Sequence, residues 1–294
     1  MVYTGYVKPT NKLVAAGKPP IVQEFKIETV ANMYPGRLVK KGTNQDDIAV
    51  GGIGGAYGWL GHEHTRPDYR PSDVDTIYKV GDFASVLKGG GFAPVASLAA
   101  GFSVTKDDKV ANWLNGQVMG PVFPAPSRGG LALKIPFTKH ASVYDTGIDI
   151  PAGMLVMDIF VDVTTNVGSS TIDVGFINAG ESGDQDGLLD GLSCAAAGLS
   201  YPLEYSTTDG NITLGVLLGT HIKSADSSAI YFMSRKPYVT DGTIKSLVYT
   251  TSNDDIAGNI YVVLAYPGFA IVGTAGETVD ASSAAADLIV ESVI

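Results

Sequence analysis

Two imidazoles stand two positions apart in His62-Glu63-His64, the spacing that puts both on one face of a strand, where they could bind zinc or copper together with Asp68 as a nearby oxygen donor. Such a centre wants three or four protein ligands, and the other histidines, His140 and His221, are far away in sequence. The segment therefore reads as a polar, solvated loop or an interface contact. A second group, Glu181-Ser-Gly-Asp-Gln-Asp-Gly-Leu-Leu-Asp190, carries an Asp184-x-Asp186-Gly187 core like that of a calcium loop. The position six residues after Gly187, where a bidentate carboxylate belongs, holds Ser193. A calcium site made of Asp184, Asp186 and Asp190 thus stands beside the default reading, a tight acidic turn between strands. The glycine run Gly51 to Gly58 fails the phosphate-loop spacings, since Tyr57 replaces the third glycine, no Walker lysine follows, and Trp59-Leu-Gly-His-Glu63 offers no opening helix. Backbone freedom at a crowded turn explains it better. Cys194 lies in Leu192-Ser-Cys-Ala-Ala-Ala with no basic neighbour to activate it, and no Gly-x-Ser-x-Gly occurs. No catalytic set, no cofactor site and no metal site is assigned, and a non-enzymatic protein is expected.

Composition narrows the partners. Thirty acidic against 20 basic residues give a net charge of −10, which opposes the phosphate neutralisation that nucleic-acid binding requires. Charged residues make up 17%, below the usual figure of about 25%, and the 36 glycines announce many turns. One cysteine excludes an intrachain disulfide and a cysteine-based zinc cluster. The first residues lack the apolar core of a signal peptide, and no apolar run reaches the ~18 residues of a membrane helix. A soluble protein made in the cytoplasm, contacting neither nucleic acid nor membrane, is the expectation.

The elements that must position these residues read as short strands. Residues 9–20 end in two prolines and lack periodicity, which suggests an extended arm. Ile21 to Thr29 alternates, with Ile21, Phe25 and Ile27 on one face, and turns then recur at Pro35-Gly36 and Lys41 to Asp47. The rhythm resumes with Asp75 to Val80, Phe83 to Leu87 and Leu98 to Ala111, in the manner of a small closed barrel. Gly120 to Gly130, with three prolines and three glycines, sustains neither period and marks a domain boundary. Beyond it Leu131 to Phe137, Leu155 to Val163 and Ile172 to Phe176 alternate cleanly, and Ile212 to Leu218, Ala229 to Met233, Thr243 to Tyr249 and Asn259 to Ala265 are further strand candidates. Seven or more such strands predict a two-sheet sandwich. The end, Ser282 to Ile294, reads equally as helix or strand. The expected class is all-β: a small barrel-like domain over 1–120, a Pro/Gly linker over 121–130, and a jelly-roll-like β-sandwich with a C-terminal tail over 131–294.

Met33-Tyr-Pro-Gly-Arg-Leu-Val-Lys40, Tyr78-Lys-Val-Gly-Asp82 and Leu98 to Ala111 resemble the small β-barrel head-decoration, or cement, proteins of tailed bacteriophages. Val143 to Gly153, Asp158 to Thr165, Thr171 to Gly175 and Gly183 to Ser193 resemble β-rich structural proteins of phage virions. These are turn-and-strand patterns, so the resemblance implies a role and transfers no individual site residue. The implied role is decoration and stabilisation of the outer capsid surface, with the barrel docking on the major capsid protein and the sandwich projecting outward. Self-association, a homotrimer by preference over a dimer, would match three-fold positions on the shell, and residues 1–20 could strap neighbouring subunits. The alternative is a head fibre, turret or glycan-binding module, in which Tyr201, Tyr205 and Tyr238 stack on sugar rings.

Overall fold

Alternation along the chain is what builds the sheets. Over Gly130–Thr138, Leu133, Ile135 and Phe137 are buried while Pro136 and Thr138 are exposed, as a half-wet strand requires. The computed structural model describes residues 12–125, 130–166, 168–177, 183–203, 205–206, 213–223, 231–235, 237–240, 245–252 and 255–294. Among them there is no α-helix, and no helix long and apolar enough to cross a membrane. The protein is all-β.

In chain order the strands begin with β1 (Val14–Gly17), β2 (Ile21–Ile27), β3 (Leu38–Lys41), β4 (Asp47–Val50), β5 (Gly58–Leu60), β6 (Phe83–Lys88), β7 (Phe92–Leu98), β8 (Phe102–Val104), β9 (Lys109–Asn112) and β10 (Val118–Met119). Next come β11 (Val122–Ala125), β12 (Gly130–Thr138), β13 (Tyr144–Ile150), β14 (Leu155–Thr165), β15 (Thr171–Ile177), β16 (Leu189–Ser193), β17 (Gly198–Ser200), β18 (Tyr205–Ser206), β19 (Gly219–Lys223), β20 (Tyr231–Arg235), β21 (Tyr238–Val239), β22 (Lys245–Thr251) and β23 (Ala257–Ala265). The chain closes with β24 (Ile271–Ala275), β25 (Val279–Ala281) and β26 (Ala286–Ser292). They form two units, one of residues 1–122 with 267–294 and one of residues 123–266.

The first unit contains two closed rings. Strands β2-β4-β3-β5-β6 form a barrel around Ile27, Met33, Val39, Ile48, Leu60, Tyr78 and Val86. Strands β7-β10-β9-β24-β26 form a second ring, closed where Ala286 to Ile289 pair with Leu98 to Val95. Residues 267–294, expected as the tail of the sandwich, therefore belong to the first unit. Alternation reveals that a strand exists but not which edge it seeks, and β24 and β26 cover edges of β9 and β7 that would otherwise stand open. The buried Trp59 indole donates to Ser292 Oγ at 2.9 Å and ties β5 to β26.

The second unit is a sandwich. Its larger sheet runs β11-β12-β23-β14-β17, with β21 also on β14, and its smaller sheet runs β13-β22-β15-β16. Phe137 of β12 packs edge-on against Tyr249 of β22, with centroids 6.1 Å apart, between layers filled by Leu133, Val161, Val174, Leu247 and Ile260. A further sheet runs β18-β20-β19.

Several local expectations are corrected. The presumed linker 121–130 contributes β11, which sits at a sheet edge where Pro124 is tolerated. Residues 75–80 are irregular, because the Asp73 carboxylate accepts from the Asp75 N–H and the Thr76 hydroxyl and holds a turn. Residues 213–218 make only a single bridge, Leu214 to Leu189. In β14 a bulge between Val156 and Asp158 shifts the alternation, so Val156 and Ile159 are both buried. The C-terminus, ambiguous between helix and strand in sequence, is strand β26. Residues 229 and 230 lie outside the described residues.

Candidate binding surface

The loop after β5 turns so tightly that His62 and His64 part company. His62 is 1% exposed, its Nε2 3.3 Å from the Pro71 carbonyl oxygen, whereas His64 and Asp68 are exposed, and Asp68 pairs with Arg66 at 3.5 Å. The two imidazoles do not converge. Glu63 between them serves the backbone instead. Its Oε1 accepts the N–H groups of Leu13, at 2.5 Å, and Val14, at 2.7 Å, and so pins the start of β1. Tyr78 donates to the Gly61 carbonyl at 2.7 Å, and Thr65 links its hydroxyl to Ser85. Burial pushes the Tyr78 phenol above its ordinary range.

With Leu13 fully buried and β1 paired to β7, residues 12–17 are no free arm. Residues 1–11 lie outside the described residues. Nearby, the glycine run is governed by backbone contact: a Cβ on Gly51 would come within 2.8 Å of the Leu38 carbonyl oxygen.

The acidic loop folds onto β15. The Phe176 N–H donates to the Asp184 carbonyl at 2.8 Å, and a Cβ on Gly175 would overlap that carbonyl. This close approach brings Asp184, Asp186 and Asp190 beside Asp173 of β15, a fourth carboxylate that a local motif search misses because it lies on another strand. Desolvation, then the neighbouring Asp186 and Asp190, pushes the Asp184 carboxyl up to about 6. Asp173 and Asp190 are also raised, chiefly by desolvation. Asp173 Oδ1 is engaged by the Gly191 N–H at 2.6 Å. Among the described residues no three His, Cys, Asp or Glu side chains are placed to hold a metal ion. Cys194 is buried and its thiol pushed up to about 11 by that burial.

The cavities differ in scale. One in the first unit, lined by Tyr34, Arg37, Asp75, Ser97 and Asp287, measures about 210 Å³, below the roughly 300–1,000 Å³ of ordinary small-molecule sites. One beside the acidic loop, lined by Ser142, Asp173, Gln185, Asp186 and Thr250, measures about 430 Å³.

The tyrosines expected to act together separate. Tyr238 packs against buried Phe176 with centroids 5.8 Å apart, and the Tyr205 side chain lies outside the described residues. Tyr201, 56% exposed, instead joins a cross-strand row on the outer face of the larger sheet. Phe160 lies 5.4 Å from Tyr201 and stacks on Tyr261 at 4.9 Å, and Phe123 lies 6.2 Å from Tyr261. Register sets this row: Phe160 and Lys134 both pair with Tyr261, while Asp162 and Pro136 pair with Asn259 in the adjoining row. Burial and the Asp162 charge raise the Tyr261 phenol. Phe123, Phe160, Tyr201 and Tyr261 come from four separate segments, so no local motif discloses them. Compared with protein-family models, curated proteins and solved structures, the chain matches none.

Proposed function

We propose that this chain is a non-enzymatic structural protein of a tailed-bacteriophage virion that decorates and stabilises the outer capsid surface, made in the host cytoplasm and docked on the major capsid protein. The observation that carries the reading is where the cement-like segments lie. Met33 to Lys40 and Tyr78 to Asp82 supply Met33, Leu38, Val39 and Tyr78 to the interior of the first unit, and Leu98 to Ala111 leaves the second ring at β7, forms β8 against β25, and rejoins the ring at β9. The net charge of −10 favours the outer face of a shell whose interior holds DNA. Ile21, Val80 and Phe83, 63%, 60% and 44% exposed, offer apolar contact on the first unit. Modest contacts repeated around a symmetry axis, as in a homotrimer, would add up through effective concentration.

The test is cosedimentation of the intact chain with tailed-phage capsids that lack it, followed by a heat challenge. Saturable binding with raised capsid stability is the expected outcome. Absence of binding removes the proposal.

A further inference from the structure

We propose that the aromatic row on the outer face of the larger sheet in the second unit binds a neutral polysaccharide, a function beyond capsid docking. Phe160 and Tyr261 are within 10° of parallel with centroids 4.9 Å apart. Phe160 and Tyr261 are both only half-buried, so the stacked pair stays partly open to solvent. Tyr201 extends the row at one end, tilted by 31°, and Phe123 borders it at the other, 39% exposed.

The polar groups beside the rings select the occupant. Asp162 and Asn259 form the adjoining row, Asp158 lies two residues before Phe160 on the same face, and Lys134 pairs with Tyr261. A pyranose offers apolar C–H faces for the rings and a rim of hydroxyls that donate to carboxylates and accept from an amide or ammonium. Anionic lipid and nucleic acid meet two carboxylates on a protein of net charge −10. A second copy docked through the same patch would crowd Asp158 and Asp162 against their equivalents, a like-charge cost. A neutral, hydroxyl-rich chain meets neither obstacle.

The experiment is native electrophoresis of the intact protein through gels cast with β-glucan, mannan, dextran or galactan, beside a blank gel. Retardation by at least one polysaccharide is expected, with apparent Kd weakened about tenfold in Tyr201→Ala and in Phe123→Ala. Both side chains are exposed enough that the melting temperature should hold, which a thermal scan checks. No retardation by any of the four, or equal retardation of the variants and the parent, overturns the proposal. So does a sedimentation result in which the parent is dimeric and Tyr201→Ala monomeric, which would assign the face to a second copy.

Discussion

The first unit is closed and discontinuous, whereas the second is open and continuous. In the first, β7, in the last third of the N-terminal segment, is completed by β26, nearly 190 residues later, which closes the ring. In the second, every strand comes from residues 122–265, and among the described residues both sheets keep free edges. Their carboxylates differ in the same sense. Side-chain hydrogen bonds from Thr76 and from Ser103 lower Asp73 and Asp280 in the first unit, whereas desolvation raises Asp173, Asp184 and Asp190 in the second. The lesson is one of scaffold and insert: the first unit depends on distant segments meeting, and the second is threaded between β10 and β24 as a self-contained block.

The sharpest way to break that contrast is to delete residues 286–294. Calorimetry should show the first unit's transition abolished and the second unit's transition retained, because Leu288, Ile289 and Val290 are all fully buried in the ring. Paired core truncations come next. Leu288→Ala should cost the first unit about 2–5 kcal/mol and leave the second unchanged, and Ile159→Ala should do the reverse; equal effects on both transitions would show that the units melt as one. Tyr78→Phe removes the hydrogen bond to Gly61 and should destabilise the first unit by about 1 kcal/mol in urea titration.

The smallest effect separates the units by pH. The native Asp184 carboxyl holds its proton up to about 6, above its unfolded value, so the second unit gains stability as pH falls from 7 through 6 towards 4, and Asp184→Asn flattens that slope. Asp73 and Asp280 are held below their unfolded value. Their contribution to the first unit is present above about pH 4 and is lost only as the solution becomes more acidic. Melting temperatures followed from pH 7 to 3 test both signs.

Strand existence was largely readable from alternation, as in Gly130–Thr138 and Thr171–Ile177, because each has one buried face. Pairing was not. Nothing local in Ala286–Ser292 names β7 as its partner, and the bulge at Val156 to Asp158 breaks the parity that extrapolation assumes. The same limit governed the site. His62-Glu63-His64 reads in sequence as a solvated loop or an interface contact, yet a turn buries His62 and leaves His64 exposed, while Phe123, Phe160, Tyr201 and Tyr261 meet only through cross-strand register.

The proposal that the first unit docks on capsids and carries the second as an insert is tested most directly by excision. Met119 and Ile271, three and four residues from the ends of the excised segment's flanks, both pair with Ala111, one on each side, so these two residues are about two strand spacings, ~10 Å, apart. Replacing residues 123–266 with a short Gly-Ser linker should leave a folded protein that still cosediments saturably with capsids. A folded excision product that no longer binds, while the intact chain does, would contradict the account and assign docking to the sandwich.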